Sequence, residues 1–334
     1  MSATILRAGF LISIQDLGRI GFREFGVSLG GALDSHALRV ANLLVGNDES
    51  EAGLEITLGG LGIRFDDERT VAWCGGEFDV RVGSTSLPAG HATFISAGEE
   101  LIVNPPRLGC RSWLTISGGI AVPMVLDSRS TDLRGNFGGM KGRTFRDGDV
   151  VPLGKIRWSP ACATLRRGRQ TAATEKVSSW SPPIDWTTTA KTEPALRFVR
   201  GSDWDRFNPS SHLALTNETF AVSPDSDRMG ARLDGPELKR KEGVDLISEA
   251  VAPGTIQVPS SGKPIVLLGD CQTIGGYPKI AHVITVDLPV AAQLRAGDTV
   301  RFQEISLADA HRLLCERERE LERFRIGLSL RPRE

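Results

Sequence analysis

Apolar residues fall along this chain mostly in short runs closed by Gly, Pro, Asp or Asn. Thr70-Val71-Ala72-Trp73, Val80-Arg81-Val82, Glu100-Leu101-Ile102-Val103 and Pro264-Ile265-Val266-Leu267-Leu268 are typical. Runs of that length bounded by turn formers predict strands, and their number predicts a β-rich fold. Two segments carry a helical period instead. Residues 33–45 are apolar at 33, 37, 38, 41, 44 and 45, and residues 307–324 at 307, 310, 314, 321 and 324. Ser306 has the right chemistry to cap the second helix, whose run Glu316-Arg317-Glu318-Arg319-Glu320 reads as a solvated face.

Between 159 and 194 the pattern gives way to Ser, Thr, Ala, Pro and Arg, with Ser181-Pro182-Pro183 and Thr187-Thr188-Thr189 inside it. This predicts a linker over 159–194, between a first half over 1–158 and a second half over 195–334 that ends in a helix. The halves repeat faintly. Each passes through a polar stretch, Gln15-Asp16-Leu17-Gly18-Arg19 or Asp225-Ser226-Asp227-Arg228-Met229-Gly230. Each closes on a turn and strand, Arg146-Asp147-Gly148-Asp149-Val150-Val151 or Arg295-Ala296-Gly297-Asp298-Thr299-Val300. Two related β-barrel halves explain the repeat, and chance recurrence of Gly/Asp turns is the other explanation.

At 334 residues, with 40% apolar and 24% charged residues, the composition is that of a folded globular protein of two domains or one large one. Lys plus Arg (40) nearly cancels Asp plus Glu (41), so bulk charge does not draw the chain to nucleic acid or to a membrane surface. With a single tyrosine, Tyr277, the chain is poor in stacking platforms, which argues against single-strand binding. Five widely spaced cysteines without a CxxC pair fit neither a disulfide framework nor a zinc site. With no signal-like N-terminus and no apolar run of ~18 residues, the expectation is a cytoplasmic protein. The five histidines are scattered, so no metal site is expected, and Walker A, GxGxxG, GxSxG and HExxH motifs are all missing.

Candidate chemistry lies in five Gly-punctuated polar clusters, the kind of loop on which function concentrates. In the first, Gln15-Asp16-Leu17-Gly18-Arg19 accompanies Gly30-Gly31-Ala32-Leu33-Asp34, where Asp34 is either a site carboxylate or a helix cap. The second, Ser128-Arg129-Ser130-Thr131-Asp132-Leu133-Arg134-Gly135, suits a carboxylate or ureido oxygen or carries ordinary salt bridges. The third, Ser223 to Gly230 with Asp225 and Arg228, exceeds what a turn needs, although an Asx turn also accounts for it. The fourth sets Glu249 and Gln257 on one pocket wall or against buried backbone groups. The fifth runs from Gly269 through Cys271, Gln272, Gly275-Gly276 and Tyr277 to Lys279 after an apolar strand, where ligand-binding groups converge. Tyr277 is alternatively a packing residue, and Cys271, with no histidine paired to it in sequence, reads as packing rather than a nucleophile.

Taken in order, Ile14-Gln15-Asp16-Leu17-Gly18-Arg19, Gly31-Ala32-Leu33-Asp34, Leu54-Glu55-Ile56-Thr57-Leu58-Gly59-Gly60, Ser128-Arg129-Ser130-Thr131, Val222 to Gly230 and Gly275-Gly276-Tyr277-Pro278-Lys279-Ile280-Ala281 resemble the allophanate hydrolase subunit 2 family. That family takes in biotin-dependent carboxyltransferase-type proteins, among them the C subunits of 5-oxoprolinases and part of the urea carboxylase carboxyltransferase domain. The likeness runs from about residue 5 to 303. It implies a mainly β fold of two cyclophilin-like β-barrel halves with a few short helices and a C-terminal helix. It also implies a separate partner of the allophanate hydrolase subunit 1 type, like the B subunit of 5-oxoprolinase, and a place beside the 5-oxoprolinase A subunit.

The activity it implies is ATP-dependent opening of 5-oxoproline to glutamate, with this chain inactive alone. Transfer of a carboxyl group from carboxybiotin to a urea-like nitrogen is the alternative, and a non-catalytic regulator of a kinase-inhibitor protein is a third. Either reaction needs donors at a carbonyl oxygen and an acid or base at nitrogen. The motif match therefore puts Asp34, Arg228 and Lys279 forward as catalytic. Arg19, Arg129, Ser223, Asp225, Glu249, Gln257, Gln272 and Tyr277 are put forward as substrate-binding. Met140-Lys141 is followed by Gly142 and is no biotinylation site, so no covalent cofactor is expected, and ATP or carboxybiotin would reside on partner subunits.

Overall fold

The computed structural model describes residues 1–156, 177–242 and 246–330. Residues 159–176 of the expected linker, with Cys162, lie outside them. The described residues divide between two compact units. One takes Met1–Gly18, Asp34–Ala190 and Glu320–Glu334, the other Arg19–Leu33 and Lys191–Arg319. Residues 177–190 of the stretch read as a linker pack within the first unit. Ser178 N donates to the Ala92 carbonyl at 2.8 Å, and the buried Trp186 meets His36 and Phe324 edge to face.

The first unit holds two antiparallel sheets. Six strands run in the order Val150–Pro152, Ser2–Ala8, Leu61–Phe65, Glu100–Val103, Val80–Val82 and Thr85–Ser86. Five run as Leu11–Gln15, Gly53–Thr57, Leu108–Ile116, Arg69–Glu77 and Thr93–Ile95. Ile5, Ile14, Ile63, Phe65, Trp73 and Leu114 join one core cluster. Arg69–Glu77 is buried along almost its whole length rather than alternately, because the helix Ser35–Leu44 also packs on it. That helix starts where its cap is. Asp34 Oδ1 accepts from Ala37 N at 2.8 Å, and Oδ2 accepts from Thr189 Oγ1 at 3.0 Å.

The second unit closes into a barrel of seven strands, in the order Ala195–Arg200, Lys279–Val283, Thr255–Gln257, Ile265–Leu267, Gly230–Asp234, Phe220–Val222 and Thr299–Glu304. Its ends are joined by parallel pairing of Leu196 with Phe302 and Phe198 with Glu304. Strict alternation places Leu196, Phe198, Val300 and Phe302 inside, and the Phe302 ring meets Phe198 at 6.4 Å and Phe220 at 5.8 Å. The helix Leu307–Ser329 follows, with Ser306 Oγ accepting from Asp309 N at 3.0 Å. Among the described residues no helix is long and apolar enough to cross a membrane.

Candidate functional site

In the first unit, the Gln15-Asp16 segment and the Ser128-Ser130 segment meet at one carboxylate. Asp16 Oδ1 accepts from Ser128 Oγ and Ser130 Oγ, each at 2.6 Å, and from Gly18 N at 2.8 Å, while Oδ2 accepts from Arg129 N at 2.5 Å. This is a structural knot that fixes a long irregular loop. The Arg129 side chain turns to Glu51 at 3.5 Å. Asp34 is fully buried in its capping role in this unit.

All the other expected site residues lie in the second unit. Arg19 is fully buried there. Arg228, nearly buried, donates through Nε and Nη2 to both oxygens of Asp270 at 2.8 and 3.0 Å, and through Nη2 to the Gly31 carbonyl at 2.8 Å. This bidentate fork ties the third cluster to the base of the fifth, the loop that carries Gln272 and Tyr277. Cys271 is buried in the same loop, and burial pushes its thiol up to about 11, so it stays protonated at neutral pH.

Five of the expected substrate-binding residues, Ser223, Asp225, Gln257, Gln272 and Tyr277, line one cleft of about 400 Å³, with an apolar floor that includes Leu233 and Leu267. Ser223 and Asp225 share a short turn, Asp225 N donating to Ser223 Oγ at 3.4 Å. The same cleft holds two carboxamides. Gln272 Nε2 donates to Gln257 Oε1 at 3.4 Å, and Gln257 Nε2 donates to the Tyr277 carbonyl at 3.3 Å. Both bonds are long, so a better partner can displace them. Gly275 lets the pair come this close, because a Cβ there would stand 2.7 Å from Gln257 Nε2.

Glu249 and Lys279 line a different cleft, of about 900 Å³, so the structure does not put Glu249 on one wall with Gln257. Lys279 Nζ lies 2.8 Å from Glu249 Oε2 and 3.4 Å from Asp203 Oδ2. Burial pulls its ammonium down, but the bonds to Glu249 and Asp203 outweigh this and leave it above the usual lysine value. It is therefore a fixed cation and donor, not a base, at neutral pH.

Sequence reasoning missed three residues of this cleft: Arg23, Arg200 and His282. His282 lies three residues from Lys279, a spacing that sends side chains to opposite faces of a regular strand. Here the ladder pairs Thr255 with His282, Ile256 with Ala281 and Gln257 with Lys279, which leaves Ile280 as a bulge and returns Lys279 and His282 to one face. His282 Nδ1 stands 3.3 Å from Thr255 Oγ1, and burial holds the ring's pKa below 6.5. The unfolded chain binds this proton at about pH 6.5 and the folded chain only at lower pH, so acidification through that window favours unfolding. Denaturant midpoints should fall from about pH 7.5 to about pH 5.5 in the wild type, and His282→Asn should flatten part of that fall; an unchanged slope would remove the assignment. Among the described residues no three His, Cys, Asp or Glu side chains gather as a metal site.

The family described as carboxyltransferase domain, subdomain A and B, matches residues 25–304. The chain is 38% identical over 320 residues to the 5-oxoprolinase C subunit of Escherichia coli (strain K12), covering 96% of each. It is 33% identical over 313 residues to the protein of the same name from Haemophilus influenzae, covering 94% of each. Among solved structures it is similar to the urea carboxylase of Kluyveromyces lactis, with a TM-score of 0.86 and 27% identity over 99% of this chain, but it spans only 30% of that longer protein.

Proposed function

Since the chain belongs to the carboxyltransferase-domain family that joins subdomains A and B, we propose that it is the C-type subunit of a 5-oxoprolinase. In this reading it recognises 5-oxoproline within a complex that opens the lactam to glutamate at the expense of ATP. The observation that carries the reading is the carboxamide pair Gln257–Gln272 in the 400 Å³ cleft. A five-membered lactam holds its amide cis, so N–H and C=O lie on one edge, and a primary carboxamide offers the complementary acceptor and donor. Two hydrogen bonds then form in one plane, and donation to the lactam oxygen stabilises the charge that gathers there when the ring opens.

For the substrate's carboxylate, the same cleft offers Arg232 and Lys263. Lys263 is engaged with Asp234 at 2.6 Å, which leaves Arg232 the better placed of the two. No phosphate-cradling motif occurs in this chain, so ATP would be used on a partner of the A type or of the B-like, subunit 1 type, and the chain alone would be inactive. Urea shares the same N–H/C=O edge, and the likeness to urea carboxylase keeps carboxyl transfer as the second reading.

The test is reconstitution of the chain with its companion subunits and assay for ATP-dependent loss of 5-oxoproline. Loss that requires this chain supports the reading. No loss, with carboxybiotin-dependent carboxylation of urea instead, replaces it by the second.

A further inference from the structure

In the 900 Å³ cleft of the second unit, two of the cations are held in ion pairs and one is not. Lys279 is answered by Glu249 and Asp203, and Arg200 by Glu304 at 2.7 Å. Arg23 is the exception. It sits half-buried in the short helix Arg23–Phe25, and among the described residues no carboxylate pairs with it. Its Nη2 donates to the Val251 carbonyl, and its Nη1 is buried without a hydrogen-bond partner among the described residues. Its other polar neighbour, the Cys271 thiol, is protonated and supplies no counter-charge. Withdrawing a guanidinium from water without a counter-charge is unfavourable, and the deficit is removed when an anion arrives. The planar fork of arginine matches a carboxylate in geometry, which a lysine or a neutral donor does not.

The neighbouring groups narrow the class of anion. Glu24, the next residue, and Glu249 line the same cleft, and their charges oppose a polyanion such as a nucleotide triphosphate. His282 is neutral at pH 7 and faces the cleft with Lys279 through the bulge at Ile280. Its Nδ1 stands 3.3 Å from the Thr255 hydroxyl, and the neutral ring has one N–H to donate. Val251 and Ile274 give the cleft apolar surface for a short carbon chain.

We infer that this cleft is a second ligand site, which binds a small carboxylate through the guanidinium of Arg23, with His282 and Lys279 beside it. The site is separate from the carboxamide cleft and stands whether or not 5-oxoproline is the lactam recognised there.

The test uses the full chain and an isosteric pair of probes, glutarate and its neutral diamide glutaramide, with affinities read by calorimetry and ligand-observed NMR. Glutarate should bind at least about tenfold more tightly than glutaramide, and Arg23→Gln should remove that preference. Arg23→Lys should restore it only in part, because the charge returns without the fork. Gln257→Leu, which alters the other cleft, should leave glutarate binding unchanged. Equal binding of the two probes, or glutarate affinity unaffected by Arg23→Gln, overturns the inference. Should Arg23→Gln disturb folding, the wild-type chain decides alone: the His282 ring resonances, assigned through His282→Asn, must shift on addition of glutarate and not of glutaramide, and their failure to do so also overturns it.

Discussion

Asp16→Ala is expected to destabilise the first unit by about 4 kcal/mol, read as a lowered urea midpoint in the fluorescence of Trp73 and Trp113. The carboxylate is 5% exposed and takes two hydroxyls and two backbone N–H groups, all within 2.8 Å. Hydrogen bonds to a charged acceptor are worth about 1.5–3 kcal/mol each, and their sum overstates the loss because the half-buried Gly18 amide can rehydrate. The two serine hydroxyls cannot, since both residues are fully buried. Asp16→Asn keeps one acceptor oxygen but points an NH₂ at groups that already donate, so it should cost about half as much. A loss below about 1 kcal/mol for the alanine variant would show that the loop at 128–130 is held by something other than this knot.

Gln257→Leu should lower kcat/KM for 5-oxoproline in the reconstituted complex by about 100-fold while changing stability little. Leucine nearly matches glutamine in volume, and the bonds given up at rest are the long ones of 3.3 and 3.4 Å. The lactam, by contrast, would lose two in-plane hydrogen bonds at about 1–1.5 kcal/mol each, and about 2.7 kcal/mol is a factor of about 100. Gln257→Glu replaces the donor by a carboxylate facing the lactam oxygen and should be at least as damaging. A Gln257→Leu complex within about threefold of wild type would remove the carboxamide pair from substrate recognition.

How far the sequence could be read follows from the range of the interactions involved. Alternation in Ala195–Arg200 and Thr299–Glu304, the helical period after Asp34 and the cap at Ser306 are local, so each is visible in a window of a few residues. Gln257, Gln272 and Tyr277 were legible as candidates because polar groups gather in short glycine-rich stretches. Their convergence on one cleft was not, since it depends on which strands pair.

Arg23 gave no local signal at all. It is an ordinary arginine until Val251, 228 positions away, takes its Nη2 hydrogen bond. His282 was hidden by the period of the strand itself, which separates it from Lys279 unless one residue bulges. In the same way Asp16 becomes a knot only when residues 128–130 arrive.

The sequence by itself determined a mainly β chain with two helices of readable position and the clusters from which a site would be drawn. It did so because side-chain alternation, capping and turn chemistry act over neighbouring residues. Only the tertiary structure decided that the barrel of the second half closes through a parallel pair about a hundred residues apart, that Arg228 spends its fork on Asp270, and that Glu249 and Gln257 face different clefts. Register, bulges and long-range pairing settle those matters, and they are set by which distant surfaces bury each other rather than by any single stretch of chain.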